Sequence, residues 1–393
     1  MKADLDQKIA RLLTHKVADV IVRESLEKKL RSGKKLRIKL GADPSRPDLH
    51  IGHAVLLRKL RAFQELGHEV VFLIGDFTAR IGDTTGKSKT RPMLTEKEIK
   101  ANAKTYLAQV GKVLDVKKAK LRYNSEWLGK LKASDFVQLC AKFTVARVIE
   151  RDDFSKRLKA GTDVHMHELL YPMLQAYDSV VLKADVEIGA TDQTFNMLAG
   201  RALMSKMEMI PQDVMTAELL VGTDGKEKMS KSLGNYIGLT DSADEMFGKT
   251  MSIPDFALDN WLELAADYSK EEIAAEKATL AKGENPRDVK MRLAKRLAAL
   301  YHGPKAADAA EAAFKARFQK GEMPTEMKEW RLAKPAKLYE AVAQAFGLSN
   351  SQARRDIEGG GVKIDGAVVK DAMTDVKKGT VLQKGKLHFV KIV

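Results

Sequence analysis

The sequence has very little cysteine and no long apolar run, and both absences limit what the protein can be. The single cysteine, Cys140, excludes an internal disulfide and any zinc cluster built from cysteines. No window approaches the roughly twenty apolar residues of a transmembrane helix. Residues 1–12 are charged and do not resemble a secretory signal. We therefore expect a cytoplasmic protein with no membrane partner.

Basic residues outnumber acidic ones, 68 to 53, which gives a net charge of +15. The excess is spread along the chain, as expected for a protein that meets a large polyanion over much of its surface. Charge alone does not decide this, because basic proteins without nucleic-acid partners exist. At 393 residues the chain is too long for one compact core, so we expect two or three domains.

The segment His50-Ile51-Gly52-His53, HIGH in one-letter code, lies between an apolar strand pattern at residues 36–40 and a helical pattern at residues 54–66. Phosphates bind at such helix N-termini, because unpaired N–H groups and the helix dipole favour negative charge. His50 and His53 share one face of the first turn. Gly52 removes a side chain, which predicts that a flat ring such as adenine packs there.

A second apolar strand pattern at residues 70–74 completes a βαβ unit. This unit predicts a parallel sheet that binds ligands beyond the carboxyl ends of its strands. Far downstream, Lys228-Met229-Ser230-Lys231-Ser232 lies between Gly225 and Gly234. Two ammonium groups in a flexible loop suit a clamp on pyrophosphate, although a lysine-rich loop by itself is more often a solvated turn.

A row of polar side chains recurs at helical spacing in an otherwise apolar segment. Tyr171, Gln175 and Asp178 are four and three residues apart, so they share one helix face. Either this face is exposed to solvent, or its polar groups need buried partners, which a zwitterionic amino acid would supply.

These motifs, in this order, resemble the class I aminoacyl-tRNA synthetases, and the polar row resembles the tyrosyl-tRNA synthetase family. The resemblance covers essentially the whole chain. It implies ligation of tyrosine to tRNA(Tyr) through a tyrosyl-adenylate, with ATP as a substrate, Mg²⁺ as its escort and a homodimeric enzyme. The alternatives are a tryptophanyl-type class I synthetase, a HIGH-type nucleotidyltransferase and a non-enzymatic RNA-binding relative.

The resemblance also implies roles for individual residues. The catalytic residues are His50, His53, Lys228, Lys231 and Ser232. The ATP-binding residues are Gly41, Asp43, Gly52, Lys87, Arg91, Gly189, Asp192 and Lys231. The tyrosine-binding residues are Lys39, Asp83, Tyr171, Gln175, Asp178 and Gln193.

Two positions depart from the family pattern. Lys39 replaces a tyrosine that shares the substrate hydroxyl in many relatives, so hydroxyl selection is expected to rest mainly on Asp178, with Lys39 or a water assisting. Ala190 replaces a glycine near the ribose site. His165 and His167 point to different helix faces and have no evident third ligand, so we expect no protein-bound metal.

The expected fold class is α/β, a Rossmann-like HIGH-type nucleotide-binding domain with a helical insertion, followed by an α-helical domain and a small α+β RNA-binding domain. The predicted bounds are 1–240 for the catalytic domain, with the insertion at about 94–177, then 241–333 for the anticodon-binding domain and linker, and 334–393 for the tail. The tail resembles the RNA-binding domain of a ribosomal small-subunit protein. Arg354, Arg355 and Lys363 are its candidate RNA-binding residues, as a cationic surface for RNA shape and phosphates.

Overall fold

The computed structural model describes residues 2–83, 94–319, 327–331, 336–385 and 388–393. The chain divides into two compact units, Met1–Asp308 and Ala309–Val393. In the ranges described, no helix is both long enough and apolar enough to cross a membrane.

The first unit contains a six-stranded sheet in the order β1-β6-β5-β2-β3-β4. Its strands are β1 (Asp19–Ile21), β2 (Arg37–Ala42), β3 (Glu69–Ile74), β4 (Ala119–Tyr123), β5 (Val186–Ala190) and β6 (Asp213–Ala217). All neighbours pair in parallel except β1, which runs antiparallel to β6. The strand order reverses between β2 and β5, and ligands bind beyond the carboxyl ends of strands at such a switch point.

Fifteen helices have their start in the described part of this unit. They are α1 (Lys2–Thr14), α2 (Arg23–Arg31), α3 (Ile51–Glu65), α4 (Glu96–Val110), α5 (Ser125–Leu128), α6 (Ala133–Cys140), α7 (Val145–Ile149), α8 (Asp152–Lys159), α9 (Met166–Leu182), α10 (Thr194–Lys206), α11 (Ala243–Met251), α12 (Leu258–Leu264), α13 (Lys270–Ala281), α14 (Pro286–His302) and α15 (Pro304–Gln319). The predicted βαβ unit is confirmed as β2, α3 and β3.

The core explains why these segments take these forms. Strands β3 and β5 are buried along most of their length, as expected for parallel strands covered on both faces. Helix α3 buries one face, including Leu57, Leu60 and Phe63, against the sheet. Residues of α12 and α14, such as Trp261 and Leu293, belong to the same hydrophobic cluster. Helices α12 and α14 therefore share the core of the sheet, and the three-domain division stays a prediction.

The predicted helical insertion at 94–177 needs one correction, because it contains the edge strand β4. This strand pairs in parallel with β3 from Val70↔Ala119 to Ile74↔Tyr123. Its side chains are only partly buried, and three of its five residues are Lys120, Arg122 and Tyr123. An edge strand of this composition has no apolar run, so the sequence pattern did not reveal it.

The second unit is a small α+β body. Its helices are α16 (Leu338–Phe346) and α17 (Asn350–Glu358), and its strands are β7 (Lys328–Trp330), β8 (Ala336–Lys337), β9 (Val362–Ile364), β10 (Ala367–Val368), β11 (Asp375–Val376), β12 (Val381–Lys384) and β13 (His388–Ile392). Leu338, Val342, Ile357 and Leu382 are completely buried in its own hydrophobic cluster. The predicted fold class, including an α+β tail, is confirmed.

Candidate active site

The N-terminus of α3 presents two imidazoles, of which His50 is buried and His53 is half-buried. The His50 backbone N–H donates to Nδ1 of His53 at 3.2 Å, and the two ring centroids are 3.8 Å apart. Burial lowers the pKa of His53 to about 4, with a further contribution from the charge of Lys231. Burial, His53 and Lys231 lower the pKa of His50 as well. Both rings are therefore neutral at pH 7 and each carries one N–H that can donate to a phosphate oxygen.

Gly52 makes room for one of these rings. A Cβ at this position would lie 2.9 Å from Nδ1 of His50. The glycine therefore permits the His50 ring to fold over the first turn of α3. Packing of an adenine ring against Gly52 stays a prediction.

The loop with the two lysines lies against this helix end. The Ile51 N–H donates to the Ile237 carbonyl at 3.0 Å, and the Leu239 N–H donates to the Leu49 carbonyl at 2.9 Å. These backbone bonds join the start of α3 to the segment that follows the loop. Met229 is buried in the main core, which anchors the loop between its two lysines.

Lys231 is the ammonium group that faces the histidines. Its Nζ is buried and has no hydrogen-bond partner among the described residues. The nearest carboxylate oxygen that pairs with it is Oδ2 of Asp48, at 4.0 Å. Burial lowers the pKa of Lys231 to about 8, so the group is still mostly protonated at pH 7. A cation with no hydrogen-bond partner among the described residues, beside two neutral N–H donors and a helix N-terminus, forms a binding site for phosphate charge.

Lys228 has a different partner from Lys231. Its Nζ lies 2.6 Å from Oδ2 of Asp192, which follows β5. The family resemblance implies that Asp192 binds ATP, so this contact brings one of the predicted catalytic lysines to a predicted ATP-binding residue. The hydroxyls of Ser230 and Ser232 are hydrogen-bonded to each other at 2.9 Å.

Gly189, at the end of β5, makes room for a neighbouring side chain. A Cβ at this position would lie 2.7 Å from Sδ of Met197, so the glycine allows the methionine of α10 to pack there.

The other end of the site is a network of buried polar groups. Asp43, directly after β2, accepts from the Tyr171 hydroxyl at 3.0 Å and from the Thr78 hydroxyl at 2.8 Å. Asn124 donates to Thr78 and, at 3.3 Å, to Asp178. Burial raises the pKa of Asp43 to about 7, partly offset by its hydrogen bond from Thr78.

Asp178 is buried, with 3% of its surface exposed. Its Oδ1 accepts from Nε1 of Trp127 at 2.8 Å. Burial raises its pKa to about 7, and the charge of Lys39 is the largest influence in the opposite direction. A desolvated carboxylate of this kind gains strongly from a hydroxyl donor on a ligand.

The two predicted glutamines each hold a carboxylate. Nε2 of Gln193 donates to Oδ2 of Asp83 at 2.7 Å, which brings together two of the predicted tyrosine-binding residues. Arg151 lies behind them, with Nη1 at 3.8 Å from Oδ1 of Asp83. Nε2 of Gln175 donates to Oε1 of Glu187 at 3.2 Å.

Lys39 is buried below this row and not exposed to the site. Its three ammonium protons are matched by three protein acceptors, Oε1 of Glu187, Oγ of Ser179 and the Gln175 carbonyl. No donor remains for a substrate hydroxyl. The direct contact that the sequence suggested for Lys39 is therefore not available in this arrangement.

Four participants escaped the sequence analysis. Asn124 and Trp127 follow the unrecognised strand β4, Thr78 follows β3, and Glu187 lies inside β5. Recognition of β4 would have placed Asn124 and Trp127 at the carboxyl edge of the sheet. Predicted residues Lys87 and Arg91 lie outside the described residues. A Cβ at Gly41 would have no described atom within 4 Å, so the end of β2 is open there.

The candidate RNA-binding residues lie in the second unit. The Arg354 guanidinium stacks over the Tyr339 ring at 3.8 Å, and Arg355 donates to Oε1 of Gln352 at 2.9 Å. Lys363 lies on β9 and is partly exposed. Among the described residues, no group of three or more potential ligands is positioned to hold a metal ion.

Gly75 offers a direct test of the buried network. A Cβ at this position would lie 1.9 Å from Oδ1 of Asp43 and 2.4 Å from Oγ1 of Thr78. We expect Gly75→Ala to displace both groups and to lower the free energy of unfolding by about 1–3 kcal/mol, measured by chemical denaturation. Gly248→Ala in α11 is the control, because no described atom lies within 4 Å of its Cβ. An equal loss in both variants would contradict close packing at Gly75.

Comparisons with known proteins identify the family of the chain. The family model of tRNA synthetases class I (W and Y) matches residues 31–319, and the S4 domain model matches residues 341–382. The chain is 48% identical over 400 residues to the tyrosine–tRNA ligase of Moorella thermoacetica, covering 99% of this chain and 97% of the relative. It is 49% identical over 392 residues to that of Dehalococcoides mccartyi strain 195, covering 99% of both.

Solved structures share the fold at low identity. The tyrosyl-tRNA synthetase of Archaeoglobus fulgidus, complexed with L-tyrosine, aligns with a TM-score of 0.64 at 22% identity, covering 78% of this chain and all of that one. A C-terminally truncated mitochondrial tyrosyl-tRNA synthetase of Aspergillus nidulans aligns with a TM-score of 0.65 at 21% identity, covering 81% and 100%. The family model and the relatives at 48–49% identity show that the chain belongs to the class I tRNA synthetases of the tryptophan and tyrosine family.

Proposed function

We propose that the chain is a tyrosine–tRNA ligase, which activates tyrosine with ATP and transfers it to tRNA(Tyr). The observation that carries this proposal is the enclosed Asp178 carboxylate, in one row with Gln175 and Tyr171 on α9. This row ends beside the same sheet edge as the anion site of His50, His53 and Lys231. One end thus suits a phenol and an ammonium, and the other suits a triphosphate.

The reaction needs no side-chain nucleophile. The tyrosine carboxylate attacks the α-phosphate of ATP, and pyrophosphate leaves with the negative charge that develops. His50 and His53 donate N–H groups to the phosphates, and the Lys231 ammonium neutralises the leaving group. Catalysis is then positioning plus electrostatic stabilisation. Mg²⁺ enters as part of the MgATP substrate.

Lys228 and the nucleotide share one carboxylate in this proposal. The Lys228 ammonium lies 2.6 Å from Oδ2 of Asp192, and the carboxylate has further acceptor positions for ribose hydroxyls. The positive charge of Lys228 then lies beside the bound nucleotide.

The test of the proposed function is charging of tRNA(Tyr). We expect the purified chain to attach labelled tyrosine to tRNA(Tyr), with one AMP released per tyrosine attached. Attachment of tryptophan to its tRNA instead would favour the tryptophan branch of the family. Formation of an adenylate without any transfer to tRNA would favour a nucleotidyltransferase.

We also propose a homodimer in the cytoplasm, where it would supply protein synthesis. Large apolar side chains are exposed in the insertion, among them Val137 (66%), Val145 (71%) and Met166 (74%). Exposed apolar groups of this kind are typical of surfaces that a second copy covers. We expect the double variant Val137→Lys/Val145→Lys to sediment as a monomer, with half the mass measured for the unaltered chain. A mass equal to that of the unaltered chain would contradict a dimer contact at this surface.

The second unit is proposed to bind tRNA. Residues 337–393 carry ten lysines and arginines against six acids. We expect their removal to leave tyrosine activation nearly intact, to raise KM for tRNA and to flatten its salt dependence, because each lost phosphate contact removes about 0.7–0.9 from the logarithmic slope. The measurement is KM for tRNA against salt concentration, with the full chain as reference. Equal KM and equal slope would contradict an RNA-binding tail.

A further inference from the structure

A completely buried ion pair lies directly behind the polar row of α9. Lys39 of β2 and Glu187 of β5 are register neighbours in the sheet, at the point where the strand order reverses. Nζ of Lys39 lies 2.9 Å from Oε1 of Glu187, and the side chains are 1% and 2% exposed. Removing two charges from water has a large desolvation cost, so such a pair is weak evidence for a role in stability alone.

Every polar atom of the pair is used. Lys39 donates to Glu187, to the Ser179 hydroxyl at 2.8 Å and to the Gln175 carbonyl at 3.2 Å. Glu187 accepts from Lys39, from Nε2 of Gln175, from Ser179 and from Gln212. Three donors and four acceptor positions are therefore all satisfied, which makes the network rigid.

This network fixes the orientation of the Gln175 amide. Nε2 of Gln175 donates to Oε1 of Glu187 at 3.2 Å, so the amide nitrogen points toward the sheet. The amide oxygen is thereby the atom left to accept a proton from a ligand, and an ammonium group is the donor that it suits. A charged acceptor such as Glu187 holds the amide in this orientation more firmly than a neutral group.

The same pair acts on Asp178, one helical turn further along α9. Burial raises the pKa of Asp178 to about 7, the Lys39 charge is the largest influence that lowers this pKa, and the Glu187 charge raises it to a smaller extent. Asp178 already accepts from Trp127 at 2.8 Å and from Asn124 at 3.3 Å. These two donors and the Lys39 charge all favour the carboxylate form, which is the form that accepts a hydroxyl proton.

We propose that Lys39 and Glu187 are positioning residues for the amino-acid substrate: Glu187 orients the Gln175 amide toward the substrate ammonium, and Lys39 supports both Glu187 and Asp178 from behind. The inference rests on the proposed tyrosine–tRNA ligase function. It assigns the pair to amino-acid binding and not to the chemical step. It also gives Lys39 an indirect role, because its three donors are used inside the protein.

Two substrate analogues distinguish the role of Glu187 from that of Lys39. Tyramine keeps the ammonium and the phenol, whereas 3-(4-hydroxyphenyl)propionate keeps the phenol and lacks the ammonium. We expect Glu187→Leu to raise the inhibition constant of tyramine about tenfold or more and to leave that of the propionate within about threefold. Lys39→Met is expected to weaken both analogues, because Asp178 loses its supporting charge as well.

Tyrosine itself gives the second readout. In ATP–pyrophosphate exchange, both variants should raise KM for tyrosine about tenfold or more, with kcat and KM for ATP within about threefold of the unaltered chain. The double variant Lys39→Met/Glu187→Leu leaves no unpaired buried charge, so it is the variant least exposed to loss of the fold. We expect its KM for tyrosine to be raised as well. Glu168→Gln is the matched control, because Glu168 lies on the same helix α9 and the substitution breaks its buried ion pair with Arg157 of α8.

The outcomes distinguish the inference from the function on which it rests. If the unaltered chain shows no tyrosine-dependent exchange, the proposed function and this inference both fail. If the unaltered chain is active and the Lys39 and Glu187 variants keep a normal KM for tyrosine, the inference alone fails. It also fails if Glu168→Gln raises KM for tyrosine as much as they do, or if Glu187→Leu weakens both analogues equally.

Discussion

Lys231→Ala is expected to lower kcat for tyrosine-dependent ATP–pyrophosphate exchange by about a hundred- to thousandfold, the usual cost of removing one preorganised group from a developing charge. The Lys231 ammonium is buried, faces the two neutral histidines and has no hydrogen-bond partner among the described residues. Its favourable interaction is therefore reserved for the phosphates. Because negative charge on pyrophosphate grows toward the transition state, removal of the ammonium should lower kcat. KM for tyrosine should barely change.

The control for Lys231 comes from the same loop. Lys226 is exposed, so Lys226→Ala removes one positive charge from the loop without removing a buried cation. We expect this control to keep kcat within about threefold of the unaltered chain. A Lys231→Ala enzyme with normal turnover and weakened tyrosine binding would contradict the role of Lys231 at the leaving group.

Asp178→Asn is expected to lower kcat/KM for tyrosine about ten- to hundredfold and to leave the weak activity with phenylalanine nearly unchanged. The substitution replaces an enclosed carboxylate by an amide. Because Trp127 and Asn124 already donate to this group, the new amide donor has no acceptor beside it. The preference for tyrosine over phenylalanine should fall by the same factor, since phenylalanine has no hydroxyl to lose.

The measurement for Asp178 is exchange with each of the two amino acids at matched ATP concentrations. KM for ATP is the internal control, because the nucleotide end of the site does not contact Asp178. An equal fall in kcat/KM for tyrosine and phenylalanine would show general damage to the pocket and would contradict hydroxyl recognition by Asp178.

Local patterns predicted much of this arrangement. The βαβ unit followed from two apolar strands around an amphipathic helix, and the structure has it as β2, α3 and β3. Helical spacing predicted that Tyr171, Gln175 and Asp178 share a face, and all three lie on α9. These predictions depend on periodicity within single elements, which a sequence states directly.

Pairings between distant segments could not be predicted from local sequence patterns. Lys39 and Glu187 become neighbours only through the register of β2 and β5, and no short-range pattern encodes that register. The family resemblance therefore suggested a substrate contact for Lys39, whereas its ammonium is hydrogen-bonded within the protein. Asn124 and Trp127 escaped for a related reason, because the polar edge strand β4 before them has no apolar signature.

The central claim is that this site activates tyrosine, and amino-acid-dependent ATP–pyrophosphate exchange tests it most directly. The unaltered chain should be offered each of the twenty amino acids separately, with MgATP and labelled pyrophosphate. Exchange driven by tyrosine, with strong rejection of phenylalanine, is the predicted result. Exchange driven best by tryptophan, or by none of the twenty, would contradict the account.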